Sequence, residues 1–80
     1  MRIDKFLKVS RIIKRRTLAN EACDAGRISV NDRLVKASYD VKVGDIIELR
    51  FGDRVSKFEV LKVAEHVTKD GAAELYRIIG

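Results

Sequence analysis

Residues 18–37 read LANEACDAGRISVNDRLVKA, and the spacing of apolar residues changes within this stretch. In its first part apolar residues recur at intervals of three and four, which predicts the inner face of a helix: Leu18, Ala19, Ala22, Cys23 and Ala25. Gly26 predicts the end of that helix, because glycine enters the left-handed conformation at little cost. From Arg27 the period falls to two, and Asn31-Asp32 predicts the two-residue turn of a β-hairpin.

A shorter amphipathic helix is predicted before this one, ending at about Val9. Its apolar residues fall at i, i+3 and i+4: Ile3, Phe6 and Leu7. Asp4 lies in the first turn, where a carboxylate meets the positive end of the helix dipole. Asp4 also precedes Lys8 by four residues, so we expect an ion pair between the two side chains.

The remainder of the chain is patterned as short strands. Strands are predicted at residues 33–37, 47–51, 55–63 and 75–79, with turns at Gly44-Asp45 and Gly52-Asp53 and a looser stretch at 68–71. Two helices followed by about five short strands predict an α+β domain. In such a domain the two helices would pack on a small, mainly antiparallel sheet.

Length and composition limit the kind of protein. The 80 residues suffice for one small domain, 1–80, with a thin core, and a content of 46% apolar and 36% charged residues is typical of a globular chain. There is no proline, and no run approaches the roughly 20 apolar residues of a membrane span. A single cysteine excludes an internal disulfide, and the charged first residues do not resemble a secretory signal. We therefore expect a cytoplasmic protein that does not cross a membrane.

The sequence offers little for catalysis. His66 is the only histidine, and no cysteine or second histidine stands at metal-ligand spacing from it. No Ser–His–Asp or Cys–His arrangement can be built around one isolated histidine. We expect no catalytic residue, no metal and no cofactor, and Cys23 is expected to pack in the core.

The positive charge is concentrated in the first part of the chain. Residues 1–36 have ten Lys or Arg against four Asp or Glu, whereas residues 37–80 have seven against eight. Residues 1–16 contain one acid, Asp4, and seven bases: Arg2, Lys5, Lys8, Arg11, Lys14, Arg15 and Arg16. Such a patch suits a polyanion, and we favour nucleic acid over a membrane or an acidic protein. The alternative from the residues alone is a solvated surface without a ligand.

Several short motifs resemble, in order and spacing, the αL RNA-binding motif, which is the RNA-binding domain of small-subunit ribosomal protein S-four. The resemblance covers residues 2 to about 51 and rests on Arg2 to Leu7, Ser10-Arg11, Arg15 to Ala19, Gly26 to Asn31, Lys36, and Val43 to Ile47. The same module occurs in heat-shock protein fifteen, in tyrosyl-tRNA synthetases and in front of many pseudouridine synthases. The residues from Asp4 to Arg11 are most similar to the ribosome-associated quality-control branch of the family.

This resemblance implies both a fold and a role. In the family, two helices pack on a small sheet, and the helical face binds structured RNA. In the quality-control branch, the domain binds rRNA and tRNA on stalled large ribosomal subunits that still hold a peptidyl-tRNA. It works there with a tRNA-recruiting elongation factor that adds a C-terminal alanine tail. Together with the charge pattern, the resemblance predicts these RNA-binding residues: Arg2, Asp4, Lys5, Lys8, Arg11, Lys14, Arg15, Arg16 and Lys36.

The chain departs from the family pattern in two ways. Asp32 stands at a turn position where the family usually has glycine, which predicts a somewhat strained hairpin and no effect on RNA binding. Residues 52–80 fit the family only loosely. We therefore divide the domain into a motif core, 2–51, and a β extension, 52–80, to which the resemblance assigns no functional residue.

A second hypothesis is a DNA-binding module of helix-turn-helix type, which two helices and a tight turn loosely resemble. Against it, the second helix has few side chains that are suited to reading base edges, namely Arg16 and Asn20. A third possibility, a fragment of a modifying enzyme, conflicts with the lack of a catalytic arrangement.

Two kinds of side chain have alternative roles at this point. Asp4 either pairs within the first helix or orients an arginine that contacts RNA. The three phenylalanines, Phe6, Phe51 and Phe58, are predicted to lie in the core. Tyr39, in a loop between strands, is the aromatic residue that remains open to base stacking.

The sequence shows no heptad repeat and no broad apolar run beyond the predicted core, so we expect a monomer when the protein is free. Light scattering at micromolar concentration should give a mass near 9.1 kDa. A stable dimer or larger species under these conditions would contradict this expectation.

Overall fold

Three helices and one five-stranded sheet make up the chain, of which the computed structural model describes residues 1–80. The elements are α1 (Ile3–Val9), α2 (Arg16–Asp24), β1 (Ile28–Val30), β2 (Arg33–Leu34), β3 (Ile46–Phe51), β4 (Arg54–Val60), α3 (Lys69–Ala72) and β5 (Tyr76–Ile78). All strand pairs are antiparallel, and the strand order is β2-β1-β3-β4-β5. The predicted α+β class, with two N-terminal helices and an antiparallel sheet, is confirmed. None of the helices, the longest of which has nine residues, could span a membrane.

The junction between α2 and β1 follows the local prediction. Gly26 has a φ of 72°, in the left-handed region. Its N–H donates to the carbonyl of Cys23 at 3.1 Å, and the N–H of Arg27 donates to that of Ala22 at 2.9 Å. These two bonds satisfy carbonyl groups at the helix end in the Schellman arrangement. The chain thereby reverses at Gly26 and enters the sheet at Ile28.

The hairpin between β1 and β2 has the predicted two-residue turn. Val30 pairs with Arg33, and Asn31 and Asp32 have φ values of 51° and 68°. Positive φ at both central residues is the signature of a type I′ turn. The Asn31 side chain also accepts a hydrogen bond from the N–H of Ile46 at 3.0 Å, which ties the turn to β3.

One cluster of 16 buried apolar residues joins the α1–α2 pair to the sheet. Ile3, Phe6 and Leu7 of α1 are fully buried, as predicted. They face the small residues Ala19 and Ala22 of α2, which allow the two short helices to pack closely. Helices this short depend on such packing, since isolated helices of this length are unstable in water.

Three elements differ from the prediction in their boundaries, one in the motif core and two in the β extension. β2 ends at Leu34 and β4 at Val60, each three residues earlier than predicted. The stretch predicted as loose contains α3, whose first turn is capped by the Thr68 hydroxyl accepting from the N–H of Gly71 at 3.2 Å. Burial of Ala72 and Leu75 holds this short helix, and local sequence does not reveal that burial.

Three residues that were predicted to face inward are exposed. Leu18 and Phe51 are 48% and 51% exposed, and Ala25 is also exposed, so these predictions were wrong. Phe51 lies at the end of β3 beyond the start of β1, where Ile28 is opposite Leu49. The pairing of β3 with β1 ends before Phe51, and alternation along a strand cannot show where its burial ends.

We predict that Asp32→Gly stabilises the fold by a few tenths of a kcal/mol to about 1 kcal/mol, because glycine adopts a positive φ without steric cost. Urea unfolding followed by circular dichroism measures the change. Asn31→Gly is the matched control, and it should destabilise the protein because the Asn31 side chain bonds to Asp45 and Ile46. A less stable Asp32→Gly variant would contradict the assignment of strain to this turn.

Candidate nucleic-acid interface

A buried carboxylate lies at the contact between α1 and α2. The side chain of Asp4 is 3% exposed. Arg2 donates to both of its oxygens, from Nε to Oδ1 and from Nη2 to Oδ2, each at 3.2 Å. The Lys5 backbone N–H donates to Oδ1 at 2.7 Å, and Asn20 donates from Nδ2 to Oδ2 at 3.4 Å. Both oxygens of the carboxylate therefore accept hydrogen bonds, and the donors come from the two helices and from the residue before α1.

Arg16 completes the network from the first turn of α2. Its Nη2 lies 3.4 Å from Asp4 Oδ1, within ion-pair distance. The side chains of Arg2 and Arg16 are 51% and 48% exposed, so each guanidinium has one side against Asp4 and another toward solvent. Two positive groups against one negative group leave a net positive charge. The remaining N–H donors of both groups are placed to bind a phosphate in a forked geometry.

The ionisation of Asp4 follows from two opposed effects. Burial alone would raise the pKa of this carboxyl. The hydrogen bonds from Arg2, Asn20, Arg16 and the Lys5 backbone outweigh burial and hold the pKa of Asp4 below its ordinary value. Asp4 is therefore charged at neutral pH, as an orienting partner of two guanidinium groups must be.

The position of Arg2 depends on the loop that follows β2. The Ile3 N–H donates to the carbonyl of Tyr39 at 2.8 Å, and the Val41 N–H donates to that of Met1 at 2.8 Å. Arg2 thus lies in a short antiparallel bridge with Asp40. Lys36, from the same connection, lines a surface depression together with Arg2 and Asn20. We call Arg2, Asp4, Arg16, Asn20 and Lys36 the arginine face.

A second cationic depression lies on another side of α1. Lys8, Arg11 and Lys14 line it together with Glu65 and His66, and we call these five residues the turn groove. Arg11 has a φ of 63°, a left-handed conformation that costs a residue other than glycine about 1 kcal/mol or more. The strained position lies just after α1, within the predicted binding segment. His66 had no predicted role, and nothing in the sequence around it indicates that it adjoins this cluster.

The structure corrects the expected partner of Lys8 and shows that Lys5 has a partner within the protein. Asp4 makes no ion pair with Lys8, because its carboxylate points into the α1–α2 contact while Lys8 lines the turn groove. Lys5 forms an ion pair with Glu65, and that hydrogen bond and charge lower the pKa of the Glu65 carboxyl. Lys5 is therefore engaged within the protein. Arg15 precedes α2, is exposed and has no ion-pair partner.

Tyr39 and Cys23 are both held in the fold. The Tyr39 hydroxyl donates to Asp45 Oδ2 at 3.0 Å; burial, followed by this bond, raises the pKa of the phenol. Its ring is partly buried against the core, which leaves less of it exposed for the base stacking that the sequence left open. Burial and nearby carboxylates raise the pKa of Cys23 to about 11, and the thiol packs in the core as predicted.

These features define a class: small α+β domains whose paired N-terminal helices hold arginine side chains against a buried carboxylate at the protein surface. The family model described as the S4 domain matches residues 1–47, and the chain belongs to the S4 domain family. The resemblance inferred from the short motifs is thereby confirmed.

Relatives are similar over nearly the whole chain. The "RQC P-site tRNA stabilizing factor" of Streptococcus pneumoniae is 53% identical over 79 residues, covering 99% of this chain and 90% of that protein. The protein of the same name from Bacillus subtilis is 52% identical over 79 residues, covering 99% and 92%. The structure of heat shock protein 15 from Vibrio cholerae, described as trimeric, matches with a TM-score of 0.90 at 30% identity, covering 99% and 81%.

We predict that Asp4→Asn destabilises the fold at pH 7 by about 1–3 kcal/mol, the range for hydrogen bonds to a charged group. Because the pKa of Asp4 is lowered in the folded state, its stabilising effect is present above the ordinary pKa of about 4. It is lost as the pH falls through the lowered value. Urea unfolding at pH 7 and at about pH 2 should therefore show a gap between wild type and variant that closes in acid.

Asp53→Asn is the control for this measurement, since Asp53 is exposed and makes no ion pair. Its stability should follow that of the wild type at both pH values. An Asp4→Asn gap of constant size from neutral pH to acid would mean that the carboxylate's charge does not stabilise the fold.

Proposed function

We propose that this protein is an RNA-binding accessory factor of translation that binds tRNA and rRNA on stalled large ribosomal subunits. The observation on which the proposal rests is the arginine face, where buried Asp4 holds two half-exposed guanidinium groups side by side. Orienting these groups in the free protein reduces the ordering cost of binding a phosphate backbone. Structured RNA is recognised largely through its shape and its phosphates, which suits such a surface.

The relatives support the more specific part of the proposal. Two that cover nearly the whole chain are named for stabilising P-site tRNA. We propose the same ligand here, with rRNA as a second contact. In this role the protein acts in the cytoplasm, as a monomer when free, beside a tRNA-recruiting elongation factor that extends stalled chains with alanine. It needs neither a metal nor a cofactor for this binding role.

All predicted site residues belong to the proposed surface, in different ways. Arg2, Arg16 and Lys36 would contact phosphates from the arginine face, with Asp4 as their positioning residue. Lys8, Arg11 and Lys14 would do so from the turn groove. Arg15, unpaired in the free protein, lies between these two regions in the sequence, and Lys5 would have to exchange Glu65 for a phosphate.

The arrangement gives less support to a DNA reader of helix-turn-helix type. Arg16 and Asn20, the α2 side chains suited to base edges, both bond to Asp4. A side chain held in this way is suited to contacting phosphates and is less free to reach base edges in a major groove. Competition between a tRNA and duplex DNA of equal length at fixed salt distinguishes the two functions, and we expect the tRNA to bind more tightly.

We predict that Arg16→Ala weakens binding to tRNA and to large subunits by about 1–3 kcal/mol, as expected for a charge-assisted contact. If the surface neutralises four to six phosphates, log K should fall against log salt with a slope of about −3 to −5. Loss of Arg16 should make that slope shallower by about one unit. Fluorescence anisotropy with labelled tRNA from 50 to 200 mM salt measures both quantities.

Lys69→Ala is the matched control, because Lys69 lies on α3, is exposed and makes no ion pair. Arg16→Ala should cost about 1 kcal/mol of folding stability or less, since the half-exposed Arg16 is one of several partners of Asp4. Thermal unfolding should show that both variants are folded at the assay temperature. Equal losses in the two variants, or an unchanged salt slope, would identify the basic segment as a solvated surface.

A further inference from the structure

An apolar cavity of about 430 Å³ lies beside α2, outside the two basic depressions. Its apolar lining comes from the turn before α2, from α2 itself and from the end of β3: Ile13, Leu18, Ala22, Ala25 and Phe51. Leu18 and Phe51 are about half exposed, so this lining is open to solvent rather than closed by the fold. Cavities of this size are within the range that accommodates small planar molecules or single chemical groups.

Two polar residues complete the cavity and restrict what can enter it. The guanidinium carbon of Arg27 lies over the Phe51 ring, 5.3 Å from its centroid, so this cation–π pair forms one wall of the cavity. Glu21 also lines the cavity and makes no ion pair. Its carboxylate would repel a phosphate but can accept hydrogen bonds from the amino groups of a nucleobase.

The cavity adjoins the arginine face. Glu21 lines both the cavity and the depression formed by Arg2, Asp4, Arg16 and Asn20. The basic residues Lys14, Arg15 and Arg16 also stand in the sequence between Ile13 and Leu18, which both line the cavity. An RNA strand whose phosphates lie on these basic residues would therefore present a neighbouring base to the cavity.

We infer that this cavity binds one unpaired nucleobase of the RNA, stacked against the Phe51–Arg27 pair and hydrogen-bonded to Glu21. The inference rests on the proposed RNA-binding function and adds to it a base-binding site. Bases in bulges and loops of structured RNA are free to leave the helix, and aromatic rings and guanidinium planes are their usual stacking partners. Any base can stack in this way. The site would therefore distinguish unpaired from paired RNA, and it would distinguish little between one base and another.

The test compares two RNA hairpins of equal stem length, one with a single bulged adenosine and one fully paired. Wild-type protein should bind the bulged hairpin more tightly. Phe51→Ala should lose about 5- to 100-fold in affinity for the bulged hairpin, the range for one stacked base, and little for the paired one. Phe51→Trp should retain binding, because indole also stacks. Ile78→Ala, at another exposed apolar residue of the sheet, should bind as wild type.

The salt dependence separates this site from the phosphate contacts. Phe51→Ala should leave the slope of log K against log salt unchanged, whereas Arg16→Ala should make it shallower for both hairpins. If Phe51→Ala binds both hairpins like wild type, the base site is overturned and the proposed function stands. If wild type binds neither hairpin nor tRNA, the proposed function fails and the base site with it.

A protein ligand for the same cavity would give a different result. In that case Phe51→Ala would alter the mass of the free protein in light scattering and leave the affinity for both hairpins unchanged. That outcome would overturn the base site in favour of contact between copies of the chain.

Circular dichroism of each variant should match wild type, because Phe51 is half exposed and lies at the end of its strand.

Discussion

The carboxylate of Asp4 is charged, buried and located where α1 meets α2, and both the packing of these helices and the proposed interface depend on its neutralisation. A buried charge without partners would cost several kcal/mol. Here the Lys5 backbone, Asn20 and two guanidinium groups satisfy it. The same bonds join the residue before α1 to the first and second turns of α2. Helix packing and arginine placement are therefore two consequences of one interaction.

The sheet contributes to this arrangement through a second acidic residue. Asp45 is buried and accepts hydrogen bonds from the Asn31 side chain, the Tyr39 hydroxyl and the Lys42 backbone N–H. These bonds connect the β1–β2 turn to the loop before β3. The loop then pairs through residues 39 to 41 with the first three residues of the chain, which places Arg2. A hairpin remote from the basic surface thus helps to position one of its guanidinium groups.

The charge asymmetry of the sequence has a structural counterpart. The basic N-terminal segment provides most of the proposed RNA surface, and the nearly neutral second half provides three of the five strands of the supporting sheet. The β extension is not merely support, however. Glu65 pairs with Lys5, and His66 borders the turn groove, so residues beyond the family match, which ends at 47, reach the basic surface. The end of β3 likewise contributes Phe51 to the cavity beside α2.

The sequence by itself determined the features that depend on neighbouring residues. The end of α1 near Val9, the helix end at Gly26 and the turn at Asn31-Asp32 follow from local spacing and backbone preference, and all three were predicted correctly. The basic segment and the family were also readable, because charge and motif order need no coordinates.

Only the tertiary structure decided which groups meet. Local spacing suggested Lys8 as the partner of Asp4, but packing of α2 brought Arg16 and Asn20 to it from more than ten residues away. Phe51 and Leu18 have the pattern of core residues, yet both are about half exposed and line an open cavity. α3 forms around a glycine because Ala72 and Leu75 are buried. Which side chains form ion pairs and which residues are buried depend on contacts between elements that are distant in the chain. The local pattern of residues contains no information about those contacts.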